Sequence, residues 1–297
     1  MLHKIIKFAV MTTERAYNDF LERLKPVYEK QEALNIADWV FENATGLKKW
    51  ERRVRKYDEL NEEAERQIKS YLHELLQHKP VQYVLQEAWF YKMKFFVNED
   101  VLIPRPETEE LVRWIVEDVR EQMPGIRDNE LRVLDIGTGS GCIAISLKME
   151  LPGAGITGID ISVKALSVAK KNADVLQTQI DFLQFNFLDE SLWSILGMYD
   201  VIVSNPPYIP EIEKEKLAKN VTAFEPTLAL FVPNNDPFIF YEKIARFGQS
   251  HLEENGKIFV EIHEDYSREV KQIFTKYHFK TEIKEDIYGK KRMIKIM

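Results

Sequence analysis

Cysteine is nearly absent from this chain. Cys142 is the one thiol in 297 residues, so no intrachain disulfide can form, and the composition suits a reducing compartment. Long hydrophobic runs are missing as well: no uninterrupted apolar stretch approaches the roughly 18 residues that a membrane span requires. In the opening "MLHKIIKFAV", Lys7 splits the apolar run and no small-residue cleavage site follows, so neither secretion nor a membrane partner is expected and a cytoplasmic protein is. Met11, followed by Thr12 and Thr13 as helix caps, reads as an equally good start, which makes residues 1–10 an expected disordered extension. Positive charge is not in excess either. Lys and Arg number 41 against 48 Asp and Glu, a net charge of −7, which argues against stable wrapping of nucleic-acid phosphates while leaving room for a local basic patch. None of the six histidines has metal-ligand spacing with a partner, and His73 and His78 do not share a helical face, so no metal is expected.

What is present falls into three segments. Residues 1–79 read as a small helical domain, with Tyr17, Phe20, Leu21 and Leu24, and later Leu60, Ala64, Ile68, Tyr71, Leu72 and Leu75, at helical spacing. Within it "LKKWERRVRK" is followed at once by "DELNEEAE", a charge alternation expected of a solvated helical face. Residues 80–104 read as a β-hairpin linker, "AWFYKMKFFV" being dense in aromatic and β-branched residues, with Pro104 and Pro106 stiffening its exit. Residues 105–297 alternate strands such as "LRVLDIG", "GITGIDI", "IDFLQFN", "YDVIVSN" and "KIFVEIH" with helical stretches. Near-continuous apolar strands of this kind form a parallel sheet covered on both faces, an α/β fold. The closing "FKTEIKEDIYGKKRMIKIM" instead has two strand-like runs about a turn at Tyr288 and Gly289, an antiparallel hairpin.

"VLDIGTGSGC" places Gly137, Gly139 and Gly141 directly after a strand and before a helix, where glycine permits a tight turn and close approach of backbone to a ligand. The next strand ends at Asp160, whose carboxylate suits both hydroxyls of a ribose. Nicotinamide dinucleotides and S-adenosylmethionine both use this arrangement. The spacing here is G-x-G-x-G, the third-glycine position of the dinucleotide fingerprint holds Cys142, and Asp135 precedes the loop. Acidic neighbours favour a sulfonium cofactor with an ammonium group over a pyrophosphate.

"VIVSNPPYIP" ends another strand on two prolines, and open α/β sheets bind ligands at the carboxyl ends of their strands. An amide or exocyclic amino nitrogen is a poor nucleophile because its lone pair is delocalised. The side-chain carbonyl of Asn205 and the main-chain carbonyl of Pro206 offer two acceptors for its two N–H bonds, Tyr208 offers a ring to lie against a planar group, and the prolines lower the entropic cost of alignment.

These motifs, with "PVQYVL", "FYKMKFFV", "VLIPRPETE", "FEPTLAL" and the terminal hairpin in the same order, resemble the peptide-chain release factor glutamine methyltransferases, the PrmC/HemK family. The resemblance implies a Rossmann-like S-adenosylmethionine-dependent methyltransferase sheet and transfer of methyl to the glutamine amide of the Gly-Gly-Gln motif in class I release factors. It implies a cofactor cradle of Gly137, Thr138, Gly139, Ser140 and Gly141, with Asp160 on the ribose, Phe187 near the adenine and Asn205 touching both ligands. Asn205, Pro206, Pro207 and Tyr208 would clasp the glutamine, and the helical domain would help dock the release factor. Departures from the family pattern fall at Lys92, Asn186, Pro237 and His263, none of them at the methyl-transfer atoms; Arg105 and Glu225 are expected near the pocket. A monomer is expected. The competing readings are an amino-methyltransferase acting on an exocyclic base nitrogen of DNA or RNA, a nucleotide-sensing binding module, and a dehydrogenase, which the glycine spacing disfavours.

Overall fold

Thr12 and Asn61 open two helices of the N-terminal region by the same device, each side-chain oxygen accepting an N–H of the first turn, from Arg15 at 3.3 Å and Ala64 at 2.7 Å. The computed structural model describes residues 11–122 and 130–297. The extension expected over residues 1–10 therefore lies outside the described residues. The chain divides into two units, Met1–Gln86 and Glu87–Met297.

The first unit contains α1 (Thr13–Leu24), α2 (Lys30–Thr45), α3 (Lys49–Val54), α4 (Glu62–Leu75) and α5 (Val81–Leu85). Phe20, Leu24, Ala37, Val40, Phe41 and Leu75 are its innermost side chains, each large one contributing about 1.5–3 kcal/mol by leaving water. The basic run is not simply a solvated face. Arg52 is buried and pairs with Asp38 on α2, lying 4.6 Å from the Tyr17 ring centroid, while Lys49 joins the same carboxylate at 2.6 Å. A guanidinium can give up water here because a carboxylate of α2 and the Tyr17 ring of α1 replace it; sequence spacing does not show that these two helices supply them.

The second unit opens with an antiparallel pair, β1 (Glu87–Phe90) and β2 (Met93–Phe96). Its turn residues Tyr91 and Lys92 both have positive φ, 49° and 63°, the primed geometry that a two-residue hairpin needs. Glu109 accepts the Tyr91 N–H at 3.0 Å and steadies that turn. Phe90 and Phe95 are fully buried in the core of this unit.

The chain then runs through α6 (Pro106–Gln122), β3 (Arg132–Ile136), α7 (Cys142–Glu150), β4 (Gly155–Asp160), α8 (Val163–Val175), β5 (Asp181–Gln184) and β6 (Tyr199–Ser204). It continues with β7 (Ile209–Pro210), α9 (Lys219–Phe224), α10 (Thr227–Leu230), β8 (Phe231–Val232), α11 (Ile239–His251), β9 (Leu252–Glu261), α12 (Ser267–Lys276), β10 (Thr281–Glu285) and β11 (Lys291–Ile296). Seven of these strands form one sheet in the order β10-β11-β9-β6-β3-β4-β5. The five from β5 to β9 are parallel, and β10 and β11 close the edge as the antiparallel hairpin the sequence implies. Apolar clusters fill both faces of the sheet, which is why its central strands lack polar alternation. Among the described residues no helix is long and apolar enough to cross a membrane.

The chain leaves β3 for β4 and β5 on one side and returns to β6 on the other, so β3 and β6 flank the topological switch point where such sheets open a crevice. Register then aligns the chemistry. Ile136 pairs with Ile159 and with Ser204, and Ser204 with Val260; one residue further along, Asp160, Gly137, Asn205 and Glu261 stand in a row across four strands.

Candidate active site

A cavity of about 220 Å³ opens above that row. Its wall includes Gly137 and Gly139 after β3, Asp160 to Ser162 after β4, Phe185 to Leu188 after β5, and Ser204 to Pro207 after β6. Ile136, Ile159 and Ala165 form part of its floor, and Asp100 to Leu102, Pro226, Leu228, Ala229 and Phe240 complete it.

The glycine loop is shaped by its backbone. Gly137, Gly139 and Gly141 have φ of 74°, 54° and 80°, a region that costs other residues steric strain. A Cβ at Gly137 would meet nothing within 4 Å, and one at Gly139 only the Gly137 carbonyl at 3.9 Å, so the two glycines leave ligand-sized room beside their backbone. Thr138, Ser140 and Gly141 turn away from the cavity. Thr138 donates to Asp135 at 2.7 Å, and the Ser140 carbonyl accepts from Asn172 of α8 at 2.9 Å.

Two carboxylates set the electrostatics. Asp160 accepts N–H groups from Gly139 and Ser162, both at 2.9 Å, leaving each oxygen a second lone pair for a hydroxyl. Burial raises its pKa against those amides. Asp135 is fully buried beneath the loop and its Oδ1 has no hydrogen-bond partner. Burial pushes its carboxyl up to about 7, the Thr138 hydroxyl and Ala144 N–H opposing and Asp160 adding to the shift. A cation is welcome at such a site and a pyrophosphate is not. The two open glycines, the ribose-type carboxylate and the apolar wall of Phe185 and Phe187 thus fit S-adenosylmethionine. Phe187 is itself held by Trp193, stacked at 5.6 Å, whose indole N–H donates to the Phe187 carbonyl at 2.9 Å. Cys142 is an inert packing thiol, burial pushing it up to about 12.

Asn205 and Pro206 reach the wall beside Gly137. The Asn205 Nδ2 donates to Thr108 at 3.1 Å, which leaves Oδ1 as the acceptor end. Pro207 also lines the cavity, whereas Tyr208 stands behind it, its ring against the second core cluster and its hydroxyl donating to Glu261 at 3.3 Å. Arg105 and Glu225 do not line the wall either; they pair with each other at 2.5 Å, and Glu225 accepts the Ile103 N–H at 3.3 Å, bracing the Val101–Leu102 side. Sequence reasoning missed Thr108 and Glu261 as members of the site. Thr108 sits inside the motif "VLIPRPETE", and Glu261 is the one acid in the buried run "KIFVEI", the signal that could have found it.

A parallel sheet with an antiparallel closing hairpin, a glycine cradle at its switch point and a ribose-type acid on the neighbouring strand define a Rossmann-like methyltransferase. The comparisons agree: residues 118–224 match the Methyltransferase small domain model and residues 15–85 the PrmC N-terminal domain. The release factor glutamine methyltransferase of Flavobacterium psychrophilum is 46% identical over 77% of this chain and 79% of its own. That of Bacteroides thetaiotaomicron is 41% identical over 77% and 80%, and that of Streptococcus pneumoniae 35% over 92% and 90%. A solved structure, the release-factor-specific protein-(glutamine-N5) methyltransferase of Alicyclobacillus acidocaldarius, is 26% identical with a TM-score of 0.42, over 68% of this chain and 98% of that one. The chain belongs to the release factor glutamine methyltransferase family.

Proposed function

We propose that this protein transfers a methyl group from S-adenosylmethionine to the side-chain amide nitrogen of the glutamine in the Gly-Gly-Gln motif of class I peptide-chain release factors. The observation that carries this reading is the placement of Asn205 and Pro206 one strand from Gly137, on the wall of the same cavity. Gly137 and Gly139 cradle the methionine end, with Thr138, Ser140 and Gly141 holding the loop from behind; Asp160 receives the ribose hydroxyls and Phe187 walls the adenine. When bound, the cofactor supplies an electrophilic methyl carbon.

The glutamine amide has two N–H bonds and a lone pair conjugated to its carbonyl. Asn205 Oδ1 and the Pro206 carbonyl accept the two N–H bonds, so the lone pair is aimed out of the amide plane at the methyl carbon. Transfer of that carbon would leave the donor sulfur as a neutral thioether, and the nitrogen held by Asn205 and Pro206 would then pass one proton to water, so no side-chain base is needed. Holding reactants in line is worth several kcal/mol of barrier, up to about 7–11 in well-aligned systems. Docking of the release factor is assigned to the helical unit that matches the PrmC N-terminal domain.

The test is incubation with a methyl-labelled donor and a release factor carrying either its glutamine or alanine there. Label in the glutamine form alone is expected. Equal labelling of both, or labelling of purified RNA or DNA instead, would overturn the assignment.

A further inference from the structure

We propose that Thr108 and Glu261 form a positioning relay that decides which end of the Asn205 amide faces the reaction cavity. This rests on the amide-methylation reading above. The two ends of an asparagine amide are nearly identical in shape and opposite in hydrogen-bond sense. Were Asn205 reversed, its NH2 would face the N–H bonds of the substrate and repel them, so the site requires one of two orientations and something must choose it.

The choice follows from a single proton. Thr108 Oγ1 lies 2.6 Å from Glu261 Oε2 and 3.1 Å from Asn205 Nδ2. A hydroxyl has one hydrogen, and an ionised carboxylate can only accept; burial raises the Glu261 pKa, and the Thr108 and Tyr208 hydroxyls with the Arg292 guanidinium oppose that rise and favour the ionised form. The threonine proton therefore goes to Glu261, and Thr108 can only accept from Asn205. That contact demands the NH2 end and leaves Oδ1 for the substrate. Thr108 and Glu261 are both nearly fully buried, at 2% and 3% exposure, so bulk water cannot supply the same polarity.

Glu261 is itself anchored. Register places it next to Asn205 at the end of β9, its Oε1 accepts from the Tyr208 hydroxyl at 3.3 Å, and its carbonyl accepts from the Tyr241 hydroxyl at 3.0 Å. One carboxylate thus holds both ends of the Asn205–Tyr208 loop, through Thr108 on one oxygen and directly on the other. Neither Thr108 nor Glu261 lines the cavity, so both are positioning residues.

The experiment compares Thr108→Val, Thr108→Ser and Glu261→Gln in the full chain. Valine keeps the shape and removes the relay. It is expected to lower kcat roughly 10- to 100-fold, by analogy with outer partners that orient metal ligands, with KM for the release factor and cofactor affinity both changed less than about threefold. Serine restores the hydroxyl and should restore kcat. Glutamine at 261 offers Thr108 a donor as readily as an acceptor, so the polarity is no longer enforced and kcat should fall as for valine. A folded Thr108→Val protein with kcat within about twofold of the parent, or a serine variant no better than valine, overturns the proposal. If the parent transfers no methyl to release factors, the functional reading fails instead. The relay is then read from the Asn205 side-chain NH2 resonances in an NMR spectrum, assigned with Asn205→Ala. Resolved, slowly exchanging protons in the parent that collapse in Thr108→Val support it, and resonances indifferent to the substitution refute it.

Discussion

Ser204 donates its hydroxyl to the Ile136 carbonyl at 2.7 Å, tying the last residue of β6 to the last residue of β3. Because the two strands end level, the residues that follow, Asn205 and Gly137, emerge side by side on the cavity wall. Asn205 and Gly137 are therefore placed by sheet register, and a substitution at one can leave the other undisturbed.

Asn205→Ala should separate them. The substitution removes a side-chain acceptor but leaves Gly137, Asp160 and Phe187 in place. Turnover is expected to fall about 100-fold or more, as when one preorganised partner of a reacting group is deleted, while cofactor affinity by calorimetry stays within a few-fold. Undiminished turnover would mean that Asn205 does not hold the substrate amide.

Two glycines of one loop should respond differently to alanine. At Gly141 a Cβ would sit 3.2 Å from both the Ala169 Cβ and the Ile145 Cδ1, with φ at 80°, so strain and crowding between α7 and α8 add. At Gly139 φ is 54° but the Cβ meets only a carbonyl at 3.9 Å. Gly141→Ala is expected to cost about 1–3 kcal/mol of stability or more. Gly139→Ala should cost only the backbone term, about 1–2 kcal/mol, yet weaken cofactor binding because its methyl enters the ligand's space. Melting temperature and cofactor titration of the two variants check this.

The parallel sheet, its closing hairpin, the glycine loop and Asp160 are legible in the sequence because each is a local pattern: a run of apolar residues, a spacing of glycines, an acid at a strand end. The Thr108–Glu261 bond is not, since it spans 153 residues and neither residue type is unusual alone. The Arg52–Asp38 pair is hidden for a similar reason, because the charge pattern of α3 carries no trace of the acid waiting on α2. The turn at Tyr91 and Lys92 lacks the glycine that positive φ usually advertises, so its support from Glu109 appears only in three dimensions. Tyr208 is legible as a member of the loop, but not that its hydroxyl is already committed to Glu261.

Buried charge away from the site should matter for folding alone. Asp118 of α6, almost fully buried, accepts from Lys257 and, at 3.0 Å, from Lys295. Lys295 also pairs with Glu282 at 2.7 Å, so loss of the shared carboxylate weakens the compensation of two buried ammonium groups, at a cost up to the roughly 3–5 kcal/mol typical of breaking a buried pair. Asp118→Asn is expected to lower stability to denaturant by that order while kcat of the folded fraction is unchanged.

Asp135 makes stability and cofactor binding respond to pH in opposite directions. Burial raises its folded pKa to about 7, above the roughly 3.9 of an unfolded aspartate. Between those values the folded chain holds a proton that the unfolded chain has released, so its stability without cofactor falls as pH rises from about 4 to 7 and levels off above. The full cost is about 4 kcal/mol. A cationic ligand reverses the preference. It is bound best by the ionised carboxylate, so affinity should increase as pH rises through 7, with a proton released on binding below that value. Asp135→Asn cannot ionise. Its stability relative to the parent should be more favourable at pH 8 than at pH 5, and its cofactor affinity lower and flat across that range. Denaturant melts at the two pH values decide the first point, since an equal difference at both would mean that Asp135 does not change charge in the folded protein between them.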